Sequence, residues 1–354
     1  MVKRLSQRSV AARSRVRFPL VPQMQSKWPI ILIVFISAGT LFLYLNSDSK
    51  SNEAAGFSRE RILMEDRIKE AGAENAYAEL KDTFAEKHFS AQHTAVHLFG
   101  EVLYENSGVS GVTVCDGSFS FGCFHGFFAG AMAERGAGIV KELDEACIAE
   151  FGEYSGRLSG CRHGIGHGLM EYYGNDLTAA LEGCRLTAEK SFKLGCASGI
   201  FMEYNIPLVF SAESATVVPR DFDSGNPQHP CDSVNAEFRY SCWFELPQWL
   251  FITLPNIADI ASVCSGAETS TDREACMLGL GFYIAPDTDY NPDESAAACD
   301  SITKGNDRVS CRTGAAFGFM VNPKNQDLYE ELCADLNAEA RQKCLSDADL
   351  FQKI

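Results

Sequence analysis

Two stretches of the chain place histidine, histidine and glutamate at four-residue intervals: His93, His97 and Glu101, then His163, His167 and Glu171. On a helix such residues project from one face, with neighbouring Cβ atoms about 5–6 Å apart. Imidazoles that close can share a metal ion, and a carboxylate can add an oxygen ligand or fix an imidazole's tautomer. A fifth histidine, His125, follows Cys123 by two residues, as His163 follows Cys161. If the segments that carry them stack in register, His125 and His163 become neighbours, and Gly164, Gly166 and Gly168 leave room for an ion and for a second helix. The candidate ligand set is therefore His93, His97, His125, His163, His167, Glu101 and Glu171. All-histidine sites suit Zn, Cu, Fe or Ni, and the sequence does not choose among them. Affinity should fall as pH drops through about 6.5, where free imidazole protonates. The competing expectation is that these histidines fill small polar crevices beside glycine and bond to backbone carbonyls.

Three functions fit such a set. The first is a binding protein that holds a metal ion for structure, transfer or sensing. The second is a metal-dependent enzyme, a hydrolase or oxidase, with an open coordination position among the same residues. The third is a metal-free scaffold for a protein or cell-envelope partner. Other chemistry is poorly represented. The chain has no Gly-x-Ser-x-Gly, phosphate loop, dinucleotide fingerprint, His-Glu-x-x-His or Cys-x-x-Cys-His. The aromatic stretch Trp243, Phe244, Trp249 and Phe251 reads as core, and the acidic run Asp287–Glu294 as a solvated helix start.

The elements that must position the histidines are marked by cysteine. The fourteen cysteines fall into consecutive pairs: Cys115 with Cys123, Cys147 with Cys161, Cys184 with Cys196, Cys231 with Cys242, Cys264 with Cys276, Cys299 with Cys311, and Cys333 with Cys344. First cysteines of successive pairs lie 32, 37, 47, 33, 35 and 34 residues apart, the scale of a helical-hairpin repeat. Local pairs repeating with that period predict bridges between consecutive cysteines. The second cysteine opens a shared Cys-x-x-Gly pattern: Cys123–Gly126, Cys161–Gly164, Cys196–Gly199, Cys276–Gly279 and Cys311–Gly314. In three of these another glycine follows four residues later: Gly130, Gly168 and Gly318. Glycine weakens a helix, so close approach of a neighbouring helix is the expected reason for it. Each unit reads as helix, Cys, short loop, Cys, inward helix. Before Cys115, the stretch with His97-Leu-Phe-Gly100 reads as a helical cap. Residues 205–230, rich in Pro, Ser and Asp, read as a loop insertion.

In this architecture, residues 73–354 resemble disulfide-stapled Sel1-like and tetratricopeptide-like helical repeat proteins, and the segment Val114–Cys123 carries the closest match. The resemblance implies an all-α, α-solenoid-like fold with a surface for binding partners, and nothing catalytic.

Charge and hydropathy place this domain. Before Trp28 there are seven basic residues (Lys3, Arg4, Arg8, Arg13, Arg15, Arg17, Lys27) and no acids, whereas all 47 Asp and Glu follow Leu45. Trp28–Leu45 is free of charge and about long enough to span a bilayer as a signal-anchor helix. The positive-inside rule then keeps the tail in the cytoplasm and sends the remainder outside, to the periplasm or cell exterior. Fourteen cysteines, all beyond residue 114, agree with that compartment. Such an acidic domain repels phosphate backbones, so nucleic acid is excluded as a partner. The expected division is a basic tail at 1–27, an anchor at 28–45, a linker at 46–57, a cap at 58–114 and seven cysteine-paired units at 115–354.

Overall fold

Helices dominate the chain, and their ends follow local capping chemistry. A computed structural model describes residues 59–351, apart from 88, 154, 207, 211–214, 218–219 and 323. All lie in one unit, Glu53–Ile354. The basic tail and the Trp28–Leu45 span lie outside the described residues, among which no helix is long and apolar enough to cross a membrane.

The expected cap comprises α1 (described over 59–71), α2 (Ala73–Phe84), α3 (Phe89–Ser107) and a 3-10 stretch, Gly108–Val114. Then come α4 (Ser118–Arg135), α5 (Val140–Phe151), α6 (Gly156–Tyr172), α7 (Leu177–Cys184) and α8 (Cys196–Asn205). Beyond the insertion lie α9 (Arg239–Thr253), α10 (Ile257–Ser265), α11 (Ser270–Asp287), α12 (Pro292–Asp300), α13 (Gly305–Met320), a 3-10 stretch at Gln326–Cys333 and α14 (Ala338–Phe351). Ser155 caps α6 by accepting from the Leu158 amide, and Asp176, Asn256 and Thr269 do the same for α7, α10 and α11. Asn291 caps α12 ahead of Pro292, the helix start expected of the acidic run.

Seven disulfides join consecutive cysteines over separations of 8 to 14 residues, from Cys115–Cys123 at the start of the array to Cys333–Cys344 at its end. Every cysteine is buried. The second member of each pair stands on a helix: Cys123 on α4, Cys161 on α6, Cys196 on α8, Cys242 on α9, Cys276 on α11, Cys311 on α13 and Cys344 on α14. Two of the seven are not followed by Cys-x-x-Gly: Cys242, where residue 245 is Glu245, and Cys344, where residue 347 is Asp347. The first member of a pair does not always end a helix, which corrects the expected unit. Cys115 follows a 3-10 stretch, Cys231 lies in a turn, and Cys333, the partner of Cys344, closes a 3-10 stretch. Only α5, α7, α10 and α12 supply the expected first helix, ending in or carrying Cys147, Cys184, Cys264 and Cys299.

Glycine sets how closely these helices meet. A Cβ at Gly126 would lie 1.8 Å from the His97 carbonyl oxygen, and one at Gly100 would lie 2.1 Å from that of Cys123. Helices α3 and α4 therefore touch backbone to backbone. Gly166 and Gly199 repeat the device between α6 and α8, and Gly281 and Gly314 between α11 and α13. The α4–α6 contact differs. Gly164 there meets the Phe124 and Phe128 side chains, and a Cβ at Gly168 would lie 3.1 Å from the Phe128 backbone, a looser approach than the carbonyl contacts of the other pairs. Arginine adds clamps beside two disulfides. Arg162 pairs with Asp144 at 2.6 Å, and buried Arg312 joins Asp300 to Asp335.

The insertion is not a plain loop. Leu208–Phe210 and Ala215–Val217 pair antiparallel, with Leu208 opposite Val217. Its far end is pinned by Arg220. The guanidinium lies 3.5 Å over the Trp249 ring and donates to Asn205 Oδ1 at 3.0 Å, and the Arg220 backbone carbonyl accepts from Trp249 Nε1. Trp243, Phe244 and Trp249 are buried, as a core reading requires.

One core position breaks the Cys-x-x-Gly pattern. Glu245 follows Cys242 where glycine stands elsewhere, and it is buried between α8 and α11. Ser198 and Tyr283 donate their hydroxyls to it. Burial outweighs those bonds and pushes its carboxyl up to about 7. The native state thus holds a proton that the unfolded chain releases from about pH 4.3, so stability falls as pH rises from about 4.3 to about 7 and is flat above. Glu245→Gln keeps an acceptor and a donor for the two hydroxyls. Thermal melts should show it gaining about 3 kcal/mol on wild type between pH 4 and pH 8. An equal change at both pH values would refute a protonated Glu245.

Candidate metal centre

The histidines meet around the α4–α6 contact. α3 carries His93, His97 and Glu101, α4 carries His125, and α6 carries His163, His167 and Glu171. His125, His163 and His167 each bring one ring nitrogen to within 4.8 Å of the others, so this group could hold a metal ion. The rings of His125 and His167 stack at 3.8 Å, whereas those of His125 and His163 are 6.4 Å apart. The closest partner of His125 is thus one helical turn beyond the one expected from register. His93 reaches the group edge-on, 5.1 Å from His125, and its ring lies 6.4 Å from that of His97. His93, His97, His125 and His167 are buried and His163 is half-buried.

Hydrogen bonds set the tautomers of His93, His163 and His167. His167 Nδ1 donates to Glu203 Oε2 at 2.9 Å, which leaves the lone pair on Nε2. That atom faces His163 Nε2 at 3.0 Å, so His163 supplies the proton between them. Two imidazole nitrogens on one tetrahedral zinc would sit about 3.3 Å apart, given Zn–N bonds of about 2.0–2.1 Å. An ion bound between them would need His163 in its other tautomer, with the proton moved from Nε2 to Nδ1, and only a small shift of either ring. His93 Nδ1 donates to the Phe119 carbonyl at 2.9 Å, and His97 Nδ1 lies 3.3 Å from Glu101 Oε1. Phe119 and Phe121 take positive φ, 51° and 60°, in the turn that presents this carbonyl. His125 Nε2 is buried and has no hydrogen-bond partner among the described residues. Leaving such an atom unmatched costs about 1–3 kcal/mol.

Burial keeps four of the rings neutral. It lowers His167 to about 3 and His93 to about 4, and it holds His125 and His163 well below the ordinary imidazole range, with repulsion from neighbouring imidazoles adding to each. Neutral imidazole is the form that binds metal. The acids lie toward solvent. Burial raises Glu171, aided by Glu101 and Glu203. Glu101 is lowered despite burial, because His97 bonds to it and Arg61 of α1 adds charge, with Arg61 Nη1 at 3.1 Å.

Three features were not legible in the sequence. Glu203, on α8, orients the central ring. It stands four residues after Gly199, where Gly130 and Gly168 stand in other units, and that replacement was the only signal. The Phe119 carbonyl carries no side-chain signal. The glycines of α6 admit the neighbouring helices, as expected of them, but by contacts no spacing shows: Gly166 meets the Cys196 carbonyl, Gly164 the Phe124 and Phe128 side chains, and Gly168 the Phe128 backbone. The carbonyl bond of His93 is the crevice bonding expected of a structural histidine, and His125 and His167 show none of it.

The class this defines is a helical, disulfide-rich domain with a histidine cluster able to hold a metal ion. No protein-family model matches the chain, and no curated protein or solved structure shows significant similarity to it.

Proposed function

We propose that this chain is a membrane-anchored, extracytoplasmic metal-binding protein. Trp28–Leu45 is its anchor, and an α-solenoid-like array of disulfide-closed hairpins presents a transition-metal ion (Zn, Cu, Fe or Ni) held by His125, His163 and His167. The observation that carries this reading is the convergence of three ring nitrogens within 4.8 Å, one of them with its tautomer preset by Glu203. The charge asymmetry around the apolar run supports the topology. A second reading, a metal-dependent hydrolase or oxidase, is favoured by the three-histidine count. That count leaves a coordination position for water or substrate beside half-buried His163.

One experiment tests both parts. Protease added to spheroplasts that express the full chain should release a disulfide-held fragment carrying a transition metal by elemental analysis, and should spare an N-terminal tag. A metal-free fragment would refute the metal reading, and loss of the tag would refute the topology.

A further inference from the structure

Helix α1 turns two large aliphatic side chains to solvent. Ile62 and Leu63 are 56% and 57% exposed, the highest values for large hydrophobic residues among those described. The other exposed ones, Tyr172, Leu186, Phe222, Ile252 and Val321, stand singly. Arg59 precedes the pair by three and four residues, so all three share one face of the helix. We infer that this patch docks on the outer surface of the bilayer that holds the anchor, with Ile62 and Leu63 at the acyl boundary and Arg59 at the lipid phosphates. This rests on the reading of Trp28–Leu45 as the anchor.

Three observations favour lipid as the occupant. The first is the tether. Only residues 46–58 separate Leu45 from Arg59, and fully extended they reach no more than about 50 Å. The patch therefore stays near the membrane, where a surface of weak intrinsic affinity is held at high effective concentration. The second is the setting of α1. Arg61, on the other side of the helix, bonds to Glu101 of α3 at 3.1 Å and pairs with Glu105. Ile68 is buried and Met64 packs on the core. These contacts hold the inner side of α1 and leave the Arg59–Ile62–Leu63 face outward. The third is charge. Arg67 and Lys69 pair with Glu79 and Glu65, whereas Arg59 takes no part in the ion pairs of the described residues. A free cation beside two aliphatic side chains suits an interface, where apolar groups enter the boundary and the guanidinium remains among headgroups. Glu60 and Asp66, both exposed, flank the patch and confine the contact to the first turns of α1.

A second copy of the chain fits less well. Stable protein contacts bury about 800 Å² from each partner, far more than two side chains supply, and a two-fold contact would set Arg59 against its own copy. Docking through α1 also orients the histidine cluster. Arg61 and Glu101 link α1 to α3, so the cluster stands on the side of α1 that faces away from lipid.

No described cysteine is free, so one introduced at an exposed position can be labelled alone. The full chain carrying Leu63→Cys with an environment-sensitive fluorophore is inserted into preformed phosphatidylethanolamine–phosphatidylglycerol vesicles, with Ile252→Cys on α9 as the comparison. The label at position 63 should be quenched by a nitroxide on the lipid acyl chains and shielded from iodide. The label at position 252 should remain open to iodide, which shows that the domain faces the outer solution. Adding Arg59→Glu and Ile62→Ser should return the label at position 63 to iodide. Iodide quenching at position 63 without those two changes overturns the docking and leaves the anchor standing. Shielding from both quenchers means that protein covers the patch, which overturns lipid as its occupant. Lipid quenching that survives Arg59→Glu and Ile62→Ser means that the dye enters the bilayer by itself, and the inference fails. A chain that does not float with the vesicles refutes the anchor, and the docking falls with it.

Discussion

Reduction of the seven disulfides is expected to unfold the domain at room temperature. Each bridge closes a segment of 8 to 14 residues. Loops of that size give about 2.5–3 kcal/mol each under the chain-entropy model. Even with incomplete additivity, the set exceeds the total stability of about 5–15 kcal/mol usual for a folded domain. Hydrophobic burial alone is poorly placed to compensate, because several hairpins are short: α7, α10 and α12 span 8, 9 and 9 residues. Isolated helices that short are unstable in water. Circular dichroism during titration with a thiol reductant should show helix loss in steps or in one transition, and a melting temperature lowered by tens of degrees if any fold remains. A reduced domain that keeps its helicity and its melting temperature would show that packing holds the hairpins without the bridges.

Replacing His163 and His167 together by alanine is expected to abolish metal binding at the three-histidine group, lowering affinity by more than a hundredfold. Two of its three nitrogens would be gone, and His125 alone cannot hold an ion against water. The flanking bridges, Cys147–Cys161 and Cys184–Cys196, remain, so helicity should be retained. Isothermal titration calorimetry with Zn(II) reads the loss. Unchanged affinity in the folded variant would remove these residues from the site.

The same variant changes the response to acid. Burial lowers His167 to about 3 in the metal-free protein, against about 6.5 for free imidazole. The unfolded chain therefore binds a proton below about pH 6.5 that the native state refuses. Stability from this group is complete above that value and is lost as pH falls toward 3. Wild-type protein should lose stability across that window, and the variant should lose less. Metal affinity should also persist below pH 6.5, where free imidazole would already have lost it, because proton competition in the fold begins lower. Burial is thus what displaces the pH dependence expected from the residue types alone.

The sequence by itself determined the local features. Cysteine partners lie close along the chain, so their period revealed the consecutive pairing that the structure makes, through to Cys333 and Cys344. The two His-x-x-x-His-x-x-x-Glu runs each lie on one helix, α3 and α6, because i and i+4 neighbours depend only on helix geometry. The helix start at Asn291-Pro292 was legible for the same reason. What lay between helices was decided by tertiary structure. Backbone contact at Gly126 and Gly100 draws α3 against α4, and Gly164 and Gly168 seat α6 on Phe124 and Phe128 of α4. Along that contact His125 stacks on His167 and not on the register-matched His163. Glu203 entered the site from α8 through the contact of Gly199 with the His163 carbonyl. No spacing along the chain encodes that distance, because it is set by which carbonyl each glycine meets and which ring fills the place where no glycine does.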